Sequence, residues 1–308
     1  PSMQPGKLYT GVLPVSNIQD TCAYLSLRWD PTKSAPGTIV VPFMFHSIAK
    51  DGRPQGEDTT ITESYFHSFM EYAHKLGFET ISTAQLAAFL EKNAPIPPRS
   101  MLLIVDDRKR FDFFNTLFVP YLKKYNWTVT NAWISHPDTP AYLYKENEQL
   151  VPTGLVDFQA HGVIHNTPIE EGVTTAYIQG EIQGSITAIQ QHFGKPPDTF
   201  VWPRGKFTAQ AVQFARQAGF RLGFTASARG PLLFNWIPLG PEERAVNDPL
   251  MVLPRYWSTT AAANLDTALQ FSQSARDFAK QNRDNELNWY KTYCAAYPPL
   301  TAALTYGK

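Results

Sequence analysis

The sequence has 308 residues, 43% of them hydrophobic, and its 27 basic residues are balanced by 27 acidic ones. That length suffices for one large core or two modest ones, while zero net charge without a basic block excludes nucleic acid and anionic membranes as main partners. No apolar run approaches the roughly 18 residues that span a bilayer. The chain opens at Pro1 with neither Met nor a signal peptide, as a mature or trimmed piece of something longer would. Cys22 and Cys294 lie near opposite ends and read either as one disulfide joining the two ends of an exported protein or as two independent buried thiols. An aromatic content of 13% with little charge suits sugars, whose apolar faces stack on rings, although core packing uses most aromatics in any domain.

In chain order, residues 1 to 37 carry Pro5, Pro14, Pro31 and Pro36 and read as an arm packed on the core through Tyr24, Leu25 and Trp29. The regular fold begins with an apolar strand over 38 to 45 that delivers His46; Pro42 within it predicts an edge or irregular strand. After a polar loop over 50 to 60, a helix from about Thr62 carries Phe66, Phe69, Met70, Ala73 and Leu76 on one face and stops at Gly77. Thr83 is placed to cap a second helix over 84 to 92. Residues 101 to 105 form an unbroken apolar run, the mark of a parallel strand covered on both faces, which ends in Asp106 and Asp107. Residues 111 to 125 have helical spacing interrupted by Pro120. A strand over 128 to 135 carries His136 at its tip, 137 to 152 is an irregular loop, and a strand over 155 to 160 ends at His161. A helix over about 174 to 193 stops at Gly194. The strand 199 to 202 runs into Pro203-Arg204-Gly205, followed by a helix over 209 to 218, a short strand over 222 to 225, a long loop over 228 to 249 and a strand over 251 to 253 before Pro254-Arg255. A last helix covers about 265 to 280, and 282 to 308 is a tail without clear period. Strands alternating with helices over 38–281 predict parallel βα units, in sufficient number to close a barrel between the arm and the tail.

Several polar groups follow predicted strands directly: His46, Asp106, Asp107, His136, His161 and Arg204. Ligands bind at that edge of an α/β sheet because loops leaving the strand tips converge there. Adjacent carboxylates repel and are costly unless a cation or a shared proton relieves them. His165 follows His161 by one helical turn, and two His with one carboxylate are a frequent ligand set for a zinc-like ion that keeps a position open for water. The second carboxylate is then available as general base. A His-x-x-x-His pair alone is more often structural; its coincidence with Asp-Asp at another strand tip carries the reading.

The set Phe45-His46, Val105-Asp106-Asp107, His161-x-x-x-His165 and Val201-Trp202-Pro203-Arg204-Gly205, followed by Ala218-Gly219-Phe220, resembles the metal-dependent polysaccharide deacetylases of carbohydrate esterase family 4, the NodB-homology group, over about residues 38 to 257. It looks closest to the poly-N-acetylglucosamine deacetylases, whose catalytic histidine comes from the first strand. The resemblance implies an α/β fold, a distorted (β/α)7-type barrel, and a hydrolase that removes acetyl groups from a sugar polymer outside the cell, in the periplasm or at the cell surface. Carried over by position, Asp107, His161 and His165 look like ligands of one divalent ion, with zinc expected and cobalt, nickel or manganese as alternatives. Asp106 looks like the general base and His46 like the general acid, while the Arg204 turn would lend a backbone N–H to the oxyanion. Three departures stand out. Arg108 follows the paired acids where the family usually has Gly. Val201 stands where many members have Arg, which leaves Arg204 or Arg255 to supply the charge that orients the base. No His follows His192, which throws the acid role onto His46.

Other residues have plainer readings. His67 and His74 fall on a solvated helix face, His192 is structural at a helix end, and His136, before Pro137 at a strand tip, is a candidate for the cleft lining with no role fixed by the sequence. Arg255 is either an ion-pair partner of Asp106 or part of a surface salt bridge. Trp202, Trp236, Tyr256 and Trp257 are candidates for the cleft wall, with core packing expected for at least half of them. The expected function is N-deacetylation of an amino-sugar polymer or oligomer. The alternatives are hydrolysis of O-acetyl esters or a small cyclic amide at the same metal site, and a carbohydrate-binding barrel disabled by Arg108.

Overall fold

The apolar run that ends at Asp106 lies in the middle of the sheet, covered on both faces, which is why it needs no polar alternation. The structure, a computed structural model, describes residues 8–52 and 59–300; most of the loop expected over 50 to 60, and the outer ends of the arm and the tail, lie outside the described residues. The elements begin with β1 (Leu13–Val15), α1 (Thr21–Arg28), β2 (Ile39–Phe45), β3 (Ile48–Ala49), β4 (Ile61–Thr62), α2 (Glu63–Lys75), β5 (Glu79–Thr80), α3 (Thr83–Lys92) and β6 (Arg99–Asp106). A π-helical turn (Phe113–Phe118) then leads into α4 (Val119–Tyr125), β7 (Val129–Trp133), α5 (Ala141–Glu148), β8 (Val156–Ala160), α6 (Thr175–Phe193), β9 (Thr199–Val201), α7 (Ala209–Gln217) and β10 (Leu222–Phe224). The chain closes with β11 (Leu232–Leu233), β12 (Ile237–Leu239), α8 (Pro241–Ala245), β13 (Tyr256–Trp257) and α9 (Ala261–Tyr293).

Strands β2, β6, β7, β8, β9 and β10 pair in parallel in that spatial order. The curl is completed by the segment 253 to 257: Leu253 bridges Phe224 of β10 in parallel, and β13 pairs in parallel with Phe43 and Met44 of β2. The expected (β/α)7-type barrel is therefore present, and it is distorted, since β8 and β9 share the single pair Ala160 and Phe200. Gly223 allows the closing segment to approach. A Cβ there would stand 2.2 Å from the Met251 carbonyl oxygen, closer than any side chain permits. Trp202 donates to that same carbonyl at 2.7 Å, so it pins the closure from the core instead of lining a cleft.

Pro42 is not on an edge. β6 flanks β2 on one side, while β11 (opposite Ile39 and Val40) and β13 (opposite Phe43 and Met44) share the other, and Pro42 falls in the gap between them, where no partner needs its missing N–H. α2 covers this part of the sheet through Phe66 and Phe69, whose rings meet Phe45 at 6.1 and 5.8 Å. The cap of α3 is Ser82, which forms a capping box with Gln85; Thr83 instead donates to Asp157 and Asp198. Pro120 falls in the first turn of α4, straight after the π-helical turn, so the expected interruption takes the form of a change of helix type.

Four local expectations are corrected. Residues 137 to 152 contain α5, which buries only Tyr144 and Asn147 and so shows little apolar periodicity. The loop 228 to 249 holds β11, β12 and α8. The strand expected over 251 to 253 is a single bridge followed by β13. The last helix runs on to Tyr293, because Tyr290 and Cys294 bury against Leu25 and Trp29 of the arm, and the Cys22–Cys294 disulfide locks the two ends together.

Candidate metal centre

All the polar groups singled out at strand tips leave the same end of the barrel, and a subset converges. Asp107 leaves β6 in the left-handed conformation (φ 63°), which breaks the strand's alternation, and both carboxylates reach the same nitrogen, His161 Nε2, at 3.8 Å (Asp106) and 3.4 Å (Asp107). Oδ1 of Asp107 lies 3.4 Å from His161 Nε2 and 3.6 Å from His165 Nε2, and the two imidazole nitrogens are 3.1 Å apart. His161 follows β8 directly and is buried; its Nδ1 is 2.7 Å from the Val201 carbonyl, which accepts the Nδ1 proton and leaves the Nε2 lone pair facing the cluster.

The residues fit a small divalent ion. Three ligand atoms in a tetrahedral shell of about 2.0–2.1 Å radius are separated by about 3.3–3.4 Å, the spacing found here. Asp107 Oδ1 is moreover a buried carboxylate oxygen without a hydrogen-bond partner, which a cation would satisfy. Burial alone would raise the Asp107 carboxyl, but the two imidazoles hold it far below the usual carboxylate range. Burial and the neighbouring His161 lower His165 to about 4, whereas the carboxylates of Asp106 and Asp107 outweigh burial and raise His161. The opposite directions have one cause: a charge on either imidazole disfavours a charge on the other, and the two carboxylates favour it on His161.

The turn from His161 to His165 is shaped by a residue absent from the expected site. Glu181 of α6 is fully buried, and its carboxylate accepts the backbone N–H groups of Val163, Ile164 and His165 at 3.0, 2.7 and 3.1 Å. Gly162 (φ 79°) passes beside it; a Cβ there would lie 2.4 Å from Glu181 Oε2. The sequence did carry a signal, for Glu181 falls between Ile178 and Ile182 on the buried face of α6, where a carboxylate needs a specific partner.

Asp106 continues β6 inward and is 2% exposed. Nη1 of Arg255 donates to both its oxygens at 2.8 and 2.9 Å, and Nε of Arg255 donates to the Thr225 carbonyl. Arg255 is itself buried, so the alternative of a surface salt bridge is set aside, and Arg255, not Arg204, is the cation on this carboxylate. Burial pushes the Asp106 carboxyl up, but Arg255, His161 and His46 outweigh it and keep the group below its ordinary pKa. Asp106 Oδ2 is 3.8 Å from His161 Nε2 and 3.9 Å from His46 Nε2. The His46 ring stacks on Trp257 at 6.0 Å, and its Nδ1 is buried without a partner, so Nε2 is the nitrogen that faces Asp106. Burial lowers the His46 pKa, with Asp106 opposing. Of the four aromatic residues considered for the cleft wall, Trp257 is the partly exposed one; Trp202, Trp236 and Tyr256 are buried.

Arg108 points away from the cluster. Its guanidinium donates to the carbonyls of His46 (2.8 Å) and Asp107 (3.2 Å) and to Ser47 Oγ, tying the ends of β2 and β6 together. The left-handed residue of this turn is Asp107, so position 108 requires no glycine. Arg204 also adopts a left-handed conformation (φ 56°), its side chain is exposed, and the turn is closed by the N–H groups of Gly205 and Lys206, not by its own. His136 bonds the Asp138 N–H at the rim, His192 stacks on Tyr144 and pairs with Glu148, and His67 and His74 lie on the exposed side of α2 as expected.

The family model for polysaccharide deacetylases matches residues 93–223. The Bacillus subtilis (strain 168) protein YxkH, provisionally named a polysaccharide deacetylase, is 21% identical over 184 residues, which make up 59% of this chain and 62% of YxkH. The chain thus spans less than two thirds of that relative's length. Among solved structures, the Streptococcus pyogenes deacetylase PplD in complex with acetate is similar with a TM-score of 0.59 and 19% identity, over 76% of this chain and 99% of PplD. IcaB from Ammonifex degensii is similar with a TM-score of 0.59 and 16% identity, over 76% of this chain and 98% of IcaB. At these identities the likeness is one of fold.

Proposed function

We propose that this chain, whose residues 93–223 match the polysaccharide deacetylase family model, hydrolyses N-acetyl groups of an amino-sugar polymer or oligomer at a centre in which Asp107, His161 and His165 hold one divalent ion, zinc in the first instance. The observation that carries this reading is the triangle of ligand atoms at 3.1 to 3.6 Å with a second, separately ionised carboxylate beside it. A divalent ion bound there supplies Lewis acidity, lowering the pKa of water and polarising the acetyl carbonyl. Asp106, kept ionised by Arg255, takes the proton of the attacking water. The backbone N–H of Arg204 donates to the developing oxyanion. His46, held against Trp257 with Nε2 facing the cleft, delivers a proton to the leaving nitrogen. The Cys22–Cys294 disulfide supports an oxidising compartment, hence an exported enzyme.

The test is acetate release from N-acetylglucosamine oligomers by zinc-loaded protein, with metal content measured in parallel. Asp106→Asn is expected to abolish turnover and keep the metal, whereas His161→Ala loses the metal. Equal activity in both variants, or less than about one ion per chain in the wild type after zinc is added, would sink the assignment. Release from an activated acetyl ester alone would redirect it to O-acetyl hydrolysis.

A further inference from the structure

Among the described residues, a pocket lies at the other end of the barrel. It measures about 520 Å3, within the range of small-molecule sites, and is framed by the arm, the turn after β11 and one face of α9. β11 runs antiparallel to β2 with Leu233 opposite Ile39, so Phe234 and Asn235 lie beyond the start of β2 while His46 follows its end. The length of β2, about 20 Å at about 3.3 Å per residue, separates the pocket from the metal centre.

Residues 282, 285, 286 and 289 fall on one helical face of α9, so Asn282, Asn285, Glu286 and Trp289 enter the pocket together, opposite Tyr24 and Phe234. Trp289 is 40% exposed with its ring tilted against Tyr293 at 5.1 Å, while Tyr24 stacks on Phe234 at 5.8 Å. The walls are held independently of any ligand. Asn235 clamps Ile18 through both its N–H and its carbonyl at 2.6 and 3.0 Å. Glu286 accepts from Arg28 Nε and Trp29 Nε1 on Oε2, and the disulfide joins α1 to the end of α9.

We propose that this pocket is a second carbohydrate-binding site, which takes a neutral oligosaccharide segment remote from the reacting acetyl group. Aromatic faces stack on the C–H faces of sugar rings, planar amides exchange paired hydrogen bonds with vicinal hydroxyls, and a carboxylate accepts from hydroxyl groups. An anionic polymer is disfavoured because the pocket lining carries the carboxylate of Glu286 and no Lys or Arg. The site gives the polymer a second hold and rests on the deacetylase reading only for the identity of the sugar.

Calorimetric titration of the zinc-loaded protein with an N-acetylglucosamine pentamer tests it, using wild type, Trp289→Ala, Asn285→Ala and His161→Ala. Binding is expected to weaken at least about fivefold in the first two variants, with unchanged thermal melts, and to survive in His161→Ala. Acetate release from a small activated ester stays at the wild-type level in Trp289→Ala. No pentamer binding by the wild type at millimolar concentration, or unchanged affinity in both pocket variants, overturns the proposal. Binding abolished by His161→Ala alone also overturns it, since the sugar is then held at the metal cleft. Loss of acetate release with pocket binding intact would count against the deacetylase reading and leave this one standing.

Discussion

Replacing Arg255 with Met keeps the bulk of the side chain and removes the charge on Asp106. Both partners are buried, so the variant leaves a carboxylate in the core without its cation, a change that costs about 3–5 kcal/mol. With an unfolding entropy of about 2.1 cal/mol/K per residue, 308 residues give roughly 0.65 kcal/mol/K, so the melting temperature at pH 7 should fall by roughly 5–8 °C. The pH dependence has a definite sign. Asp106 is more acidic in the native protein than in the unfolded chain, so its contribution is full above the ordinary Asp value, about 3.9, and is lost as pH falls through the lower native value. Without Arg255, burial dominates and pushes the carboxyl up. The deficit of the variant should therefore be greatest near neutrality and shrink as acid neutralises Asp106, while the acid limb of its pH–rate profile moves to higher pH. In an Asp106→Asn background the same substitution should cost much less, because no charge is stranded. Melting curves and acetate-release profiles from pH 4 to 8 check this. A melting temperature within 1 °C of wild type at pH 7, or an acid limb that does not move, would refute the electrostatic account of the pair.

Gly162→Ala should lose about 1–3 kcal/mol in denaturant titrations and bind zinc roughly 10- to 100-fold more weakly, since its Cβ collides with the carboxylate that shapes the His161 turn. Unchanged zinc affinity would show that Glu181 only packs. Arg108→Ala should retain the metal and slow turnover by roughly tenfold to a hundredfold, because the His46 carbonyl loses its tie; faster turnover would mean that Arg108 obstructs the cleft. Reducing Cys22–Cys294, a link across 272 residues, should cost about 2–5 kcal/mol by thermal melt with the zinc content unchanged, and a loss of zinc would mean that the ends support the centre directly.

The barrel was legible because its strands carry their own evidence. β6 and β2 are unbroken apolar runs, α2 and α6 have clear stops at Gly77 and Gly194, and His46, Asp107 and His161 follow strands directly. The segments that escaped are those whose stability comes from partners distant in sequence. β11, β12 and β13 have two or three residues each and exist through pairing with β2 and β1. α5 presents few apolar residues, and the far end of α9 is buried by an arm more than 250 residues earlier. Ser82 and Thr83 are both competent caps for α3, and the contacts of Thr83 with Asp157 and Asp198 leave the cap to Ser82.

The same distinction governs the site. Asp106 and Asp107 are adjacent in sequence and alike in chemistry, and both reach His161; what distinguishes them is that Asp107, in a left-handed conformation, also meets His165, whereas Asp106 meets Arg255. A glycine after the acids would make that turn easily; here Asp107 takes the left-handed conformation, and Arg108 adds a guanidinium that couples the turn to His46. The cation that faces Asp106 comes from the segment that closes the barrel, since Arg255 lies between the Leu253 bridge and β13. The ionised state of Asp106 and closure of the barrel are therefore linked: a chain in which 253 to 257 failed to dock would strand Asp106 without its cation, and the buried pair penalises that open form in proportion to the charge it leaves uncompensated.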